Sequence, residues 1–142
     1  GSSFDNATSP TGNNLLGATF GNDIFLGVGQ SGAIVRSTNN GSSFDNVTSP
    51  TGNNLTGVTF GNDIFVAVGN SGTIVRSTDN GASWDNATSP TTSNLLGVTF
   101  DNDTFLGVGS SGTIVRSTDN GSSFDNATSP TGNALYGVTS TD

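Results

Sequence analysis

GSSFDNVTSPTGNNLTGVTFGNDIFVAVGNSGTIVRSTDN, residues 41–80, is the stretch on which the fold of this chain turns. The same string with few changes fills residues 1–40 and 81–120, and residues 121–142 give its first 22 positions once more. Three 40-residue copies and about half of a fourth therefore account for all 142 residues, which read as a single repeat domain. Self-similarity at a fixed period of this size marks an architecture in which each unit buries its apolar surface only against its neighbours.

Within one copy the pattern predicts four short strands. In the second copy they are Asn54–Phe60, Ile64–Gly69, Thr73–Thr78 and Ser83–Thr88, each rich in the β-branched and aromatic residues that strands prefer. Gly61-Asn62-Asp63, Asn70-Ser71-Gly72 and Asp79-Asn80-Gly81 separate them as turns, and Ser89-Pro90-Thr91 links to the next copy. The four prolines of the chain all fall in such links, where no ladder hydrogen bond is lost. Ile64 and Val66 alternate with Phe65 and Ala67, so both faces of this inner strand are apolar. That suits a sheet held between two others. Four strands in about 40 residues is the size of a β-propeller blade, and blades stack radially. No 3.6-residue periodicity supports a helical solenoid, and the coils of a β-helix are usually shorter. The expected class is all-β, with four-stranded antiparallel blades, about three and a half per chain. Lettering the strands A to D from the inside out, the chain reads D, ABCD, ABCD, ABCD, A. The first D falls at residues 3–8 and the last A at about 134–140.

Composition narrows the partners. The formal net charge is −8, from 11 acidic residues, all Asp, and 3 basic ones, all Arg. Three cations neutralise few phosphates, so nucleic acid is not an expected partner, and anionic lipid surfaces would repel the chain. No apolar run approaches the roughly 18 residues of a membrane span, and no signal peptide opens the sequence. There is no Cys to indicate a redox compartment, and localisation stays unknown.

At the third turn Ser77-Thr78-Asp79-Asn80-Gly81-Ala82-Ser83-Trp84 resembles the Asp-box, S-x-D-x-G-x-x-W. Ser117, Asp119, Gly121 and Phe124 repeat it with Phe for Trp; Ser37, Asn39, Gly41 and Phe44 repeat it with Asn for Asp as well. With the string from Phe60 to Gly69, the chain resembles blades of bacterial Asp-box propellers related to the photosystem II assembly factor. The resemblance implies a structural box lying away from any catalytic face. It does not imply one function, because such propellers serve sialidases, assembly factors, surface proteins and lectin-like binders. The residues explain the box physically. Gly81 supplies a positive φ, Asp79 accepts turn N–H groups, and Trp84 packs the fourth strand into the blade.

Chemistry fails on inventory. A sialidase pattern requires converging arginines, a Tyr nucleophile, a supporting Glu and an Asp acid. Arg36, Arg76 and Arg116 occur one per copy, Tyr136 is the single Tyr, and there is no Glu. With no His, Cys or Lys there is no Ser–His or Cys–His pair and no Schiff base, and the N and S ligands of zinc are missing. Paired-Asp general acid–base catalysis stays open in principle, but Asp23, Asp63 and Asp103 recur at one turn position, and Asp45, Asp85 and Asp125 at one strand position, which favours structural roles. Each arginine is expected to pair with the acid across its hairpin, as Arg36 with Asp45. No catalytic residue, metal site or cofactor is expected.

Two functional classes remain. Three blades do not close a ring, and an open arc exposes two apolar faces, which association with further copies would cover. Two chains carry 2 × 14 = 28 strands, enough for seven blades, so a dimer is favoured, with the terminal strands exchanged at the junctions. The near-identity of the copies suggests recent amplification or deliberate construction, as of a fragment made to study assembly. The alternative is a lectin-like module with repeated shallow sites. Its candidate residues are Gln30, Asn70 and Ser110 in equivalent turns, where the copies differ, and Tyr136. The copies also differ elsewhere, as Gly61 against Asp101 in another turn, so the variation is not confined to one face; Ser140 stands where Phe20, Phe60 and Phe100 stand, so the end of the last strand is not expected to pack like an internal blade.

Overall fold

The computed structural model describes residues 3–140. The first copy forms β1 (Leu15–Gly21), β2 (Ile24–Gly29), β3 (Ile34–Ser37) and β4 (Asp45–Asn46). The second forms β5 (Leu55–Gly61), β6 (Ile64–Gly69), β7 (Ile74–Ser77) and β8 (Asp85–Asn86); the third forms β9 (Leu95–Asp101), β10 (Thr104–Gly109), β11 (Ile114–Ser117) and β12 (Asp125–Asn126). Each set is one four-stranded antiparallel sheet in sequence order. These are the expected blades.

Local chemistry sets the register. Asn62 (φ 49°) and Asp63 (φ 61°) make the two-residue turn between β5 and β6, closed by the Gly61–Ile64 pair. Consecutive positive φ angles match the strand twist, and Asn and Asp tolerate them well. The β5–β6 ladder shifts between Leu55 and Gly57, leaving Thr56 as a bulge. Its hydroxyl lies 2.6 Å from the Leu95 carbonyl and 3.2 Å from that of Val68, joining the second blade to the third.

The core lies between blades. Ile24, Leu26, Val28 and Ile34 of the first blade meet Leu55, Phe65, Val75 and Trp84 of the second. Ile64, Val66, Val68 and Ile74 of the second meet Leu95, Phe105, Val115 and Phe124 of the third. Every blade thus has an aliphatic face towards its successor and an aromatic face towards its predecessor. β6 is buried along its whole length, as its two-sided apolar pattern requires.

Two expectations about strands need correction. The fourth strand spans only Asp85–Asn86, not Ser83–Thr88. Ala87 N–H still bonds the Ile74 carbonyl, but Thr88 turns to the third blade, where it accepts from Phe124 N–H at 3.0 Å and bridges Ser123. Neither residues 3–8 nor residues 134–140 form a strand, because each lacks the sheet that would pair with it. Residues 3–8 contribute one parallel bridge, Thr8 to Ser43, and Leu135 N–H bonds the Gly109 carbonyl at 2.9 Å.

Candidate functional site

Equivalent side chains differ in exposure only according to whether a neighbouring blade covers them. Leu55 and Leu95 are 0% exposed, but Leu15 is 44% exposed; Phe65 and Phe105 are 0% exposed, but Phe25 is 37% exposed. Trp84 and Phe124 are buried and Phe44 only partly so. Leu15, Phe25, Val35 and Phe44, with Ala7 and Thr8, line a largely apolar cavity of about 290 Å³ on this open aromatic face. At the opposite end the aliphatic face of the third blade is partly open: Leu106 and Ile114 are half-buried, whereas Leu26, Val66, Ile34 and Ile74 are buried. Thr99, Asp101, Thr104 and Ser140 line a shallower, more polar cavity of about 200 Å³ there.

The Asp-box-like turns hold themselves together and dock on the preceding blade. Asp79 accepts from the Ser83 hydroxyl at 2.6 Å, from Ser83 N–H at 2.9 Å and from the Ser77 hydroxyl at 2.8 Å. The buried Ser77 oxygen accepts Gly81 N–H at 2.9 Å, and Trp84 Nε1 donates to the Gly81 carbonyl. The Ser83 contacts hold the Asp79 carboxyl below its usual range, and the matching Ser123 contacts hold Asp119 at about 2. In the first blade Asn39 fills the same place, its oxygen accepting from Ser37 and Ser43 and its amide donating to the Ser43 hydroxyl. A Cβ on Gly81 (φ 76°) would approach Leu26 of the preceding blade to 3.1 Å, whereas one on Gly41 would meet nothing.

The arginines do not behave as expected. Register places Arg36 opposite Asp45 and Arg76 opposite Asp85. Their Nε atoms donate across the blade boundary instead, Arg36 to the Asn80 carbonyl and Arg76 to the Asn120 carbonyl, each at 2.7 Å. The next blade's turn lies within reach of the fork and offers a bare carbonyl. Beside each arginine a turn amide does the same: Asn22 Nδ2 donates to Asp63 and Asn80, and Asn62 Nδ2 to Asp103 and Asn120. The only hint of this clamp in the sequence is the repeated Gly-Asn-Asp turn, since its partners lie 41 to 58 residues away. A second missed feature lies at the strand ends. A Cβ at Gly21 would fall inside the Phe60 ring, and one at Gly61 inside the Phe100 ring. The corresponding pair at the last junction is Asp101 with Ser140, so the two departures from the repeat belong to one contact.

The candidate ligand residues lie outside both cavities. Gln30, Asn70 and Ser110 are half-buried at the starts of three equivalent single-turn 3-10 segments, and Tyr136 is 79% exposed. Link amides nearby are already engaged: Asn54 accepts Ser31 N–H, and Asn94 accepts Ser71 N–H, both at 2.9 Å.

No protein-family model matches the chain. The search of curated proteins likewise finds no match. Solved structures do match. YCF48 from Cyanidioschyzon merolae aligns at TM-score 0.71 and 23% identity over 84% of this chain and 38% of its own. The computationally designed Ika4 protein aligns at TM-score 0.74 and 13% identity over 96% of this chain and 85% of its own. An ancestral GH74 enzyme aligns at TM-score 0.67 and 21% identity over 83% of this chain and 19% of its own. The chain thus spans well under half of the YCF48 structure. At these identities the likeness is one of fold: this is a β-propeller arc, and designed propellers are among its structural neighbours.

Proposed function

We propose that the chain is a non-catalytic β-propeller module that completes its ring by associating with further copies of itself. The observation that carries this reading is the contrast between Phe25, 37% exposed, and its equivalents Phe65 and Phe105, both 0% exposed. An aromatic face that each later blade covers with the aliphatic face of its predecessor is left open at the first blade. The complementary aliphatic face stands at the third. A second copy carries both. Such a contact is heterologous, and it gives a ring if its rotation closes. The chain has no His, Cys, Lys or Glu for a nucleophile–base pair, its aspartates recur at equivalent places in each copy, and two of the three arginines are held by blade contacts.

Amide hydrogen exchange tests this reading, because the corresponding peptides IFLGVGQ (24–30) and IFVAVGN (64–70) differ enough to be read separately. Association protects both equally at high concentration and selectively loosens the first on dilution. A first peptide that exchanges much faster than the second at every concentration would contradict it. Reproducible glycan capture competed by free sugar, with no association, would favour the lectin-like alternative instead.

A further inference from the structure

We infer that two copies join head to tail through a seam that repeats the internal clamp, Asn102 and Arg116 of one copy donating to Asp23 and Asn40 of the next. This rests on the self-association proposed above and names its register. At the first boundary Asn22 Nδ2 lies 2.9 Å from Asp63 Oδ1 and 3.1 Å from Asn80 Oδ1, while Arg36 Nε donates to the Asn80 carbonyl. At the second boundary Asn62, Asp103, Asn120 and Arg76 repeat those bonds. The third donor set, Asn102 Nδ2 and Arg116 Nε, has no acceptor among the described residues, and Arg116 is exposed where Arg36 and Arg76 are half-buried. At the other end of the arc the first acceptor set, the Asp23 carboxylate and the Asn40 carbonyl, has no donor among the described residues.

The acceptors already have the geometry they would need. Asn40 has φ 57°, against 58° at Asn80 and 57° at Asn120, and Asp23 has φ 61°, as Asp63 does. The two acceptor turns themselves need no rearrangement before contact, which lowers the cost of association. One end of the arc offers donors and the other acceptors, so only head-to-tail contact satisfies both. A head-to-head contact would set Asp23 against Asp23. Beneath the polar set, Leu106, Val108 and Ile114 would meet Leu15, Phe25 and Val35, the same pairing of faces that forms both internal cores.

The register has a consequence for the two ends of the chain. Residues 3–8 spell SFDNAT, as do residues 123–128, and the seam brings them to one place. β12 is paired with β11 through Asn126 and Asp125, whereas residues 3–8 hold a single bridge, so residues 3–8 give way. Residues 134–140 likewise yield to the incoming β1, which is paired along β2. Two copies then contribute three blades each. One contact is not reproduced: Asp101 stands where Gly21 and Gly61 admit a phenylalanine ring, so Phe20 of the incoming copy has to turn aside.

The sequence has no cysteine, so introduced ones report cleanly. The full chain carrying both Asp23→Cys and Asn102→Cys is oxidised at micromolar concentration and its covalent mass read without reductant. The seam predicts covalent two-chain rings from the double variant and no such product from either single variant. Arg116→Ala removes one charge-assisted hydrogen bond at each of the two seams of the ring, so it is expected to raise the dissociation concentration on the order of a hundredfold and to leave the melting of dilute single chains unchanged. Asp101→Gly is expected to lower the dissociation concentration by admitting Phe20. A ladder of longer covalent multimers supports the seam and overturns the closed ring. A double variant that stays uncrosslinked while the unsubstituted chain weighs more than one copy overturns the seam and leaves self-association standing. A one-copy mass for the unsubstituted chain at every concentration overturns both.

Discussion

Truncating Phe25 and truncating Phe65 remove the same side chain from the same position of two nearly identical blades, and their costs should differ. Phe65 is fully buried and its ring lies 4.6 Å from that of Phe60. Phe65→Ala removes a large apolar surface and leaves a closed cavity, a change that costs about 3–5 kcal/mol. Phe25 has the same ring partner, Phe20, also at 4.6 Å, but 37% of it is exposed and its open side adjoins the apolar cavity. With roughly a third of the transfer term absent and no sealed void to form, Phe25→Ala in the single chain should cost about half as much, ~2 kcal/mol. For a chain of this size 1 kcal/mol shifts melting by about 3–4 °C. The expected losses are therefore roughly 10–20 °C for Phe65→Ala and about 7 °C for Phe25→Ala under dilute conditions. Calorimetry across a concentration series reads both. As copies associate, the Phe25 face is covered, and its cost should climb towards that of Phe65 while the Phe65 value stays nearly constant. Equal costs at the lowest concentration would mean that the first blade is already covered within one chain. A Phe25 cost that never rises would mean that nothing covers it.

Other perturbations probe the blade boundaries. Ser77→Ala leaves the Gly81 N–H without its buried acceptor and should cost about 1–3 kcal/mol in urea unfolding followed by Trp84 fluorescence. Gly61→Ala places a methyl inside the Phe100 ring and should cost about 1–3 kcal/mol as the ring is displaced, with the loss centred on the boundary between the second and third blades. Hydrogen bonds from Ser83 and Ser123 hold the Asp79 and Asp119 carboxyls below the ordinary carboxylate range in the folded chain, Asp119 at about 2. A depressed carboxyl contributes its stability in full above its unfolded pKa and loses it as pH falls through the folded one. The urea midpoint should therefore drop between about pH 4 and pH 2. Asp119→Asn should flatten that slope by about 0.5–1 kcal/mol after solvent screening. Asn39 shows that an amide fits the place.

The blades were legible because their signals are local. β-branched and aromatic residues in short runs, turn residues between them, and the two apolar faces of Ile64–Gly69 require nothing beyond one repeat, and all three inner strands of each blade appear where they were expected. What could not be read lies between repeats. The sequence points each arginine at the acid across its hairpin, yet register alone does not decide where a long side chain ends, and the Asn80 carbonyl lies 44 residues from Arg36. The bridge from Thr88 to Ser123 is equally invisible, since it joins a strand to a neighbour that no single repeat reveals. Asp101 and Ser140 were each visible as departures from the repeat. Only the packing of Phe60 on Gly21 and Phe100 on Gly61 shows that they are two halves of one contact. At the candidate ligand positions the variation among Gln30, Asn70 and Ser110 was real, but the structure brings them to no common cavity.

The solution mass by light scattering over a dilution series tests self-association most directly. A plateau at twice the 14.2 kDa of one chain, falling towards one chain only at low concentration, is the predicted result. A constant single-chain mass with the chain folded throughout would contradict the account, and the open aromatic face of the first blade would then need another explanation.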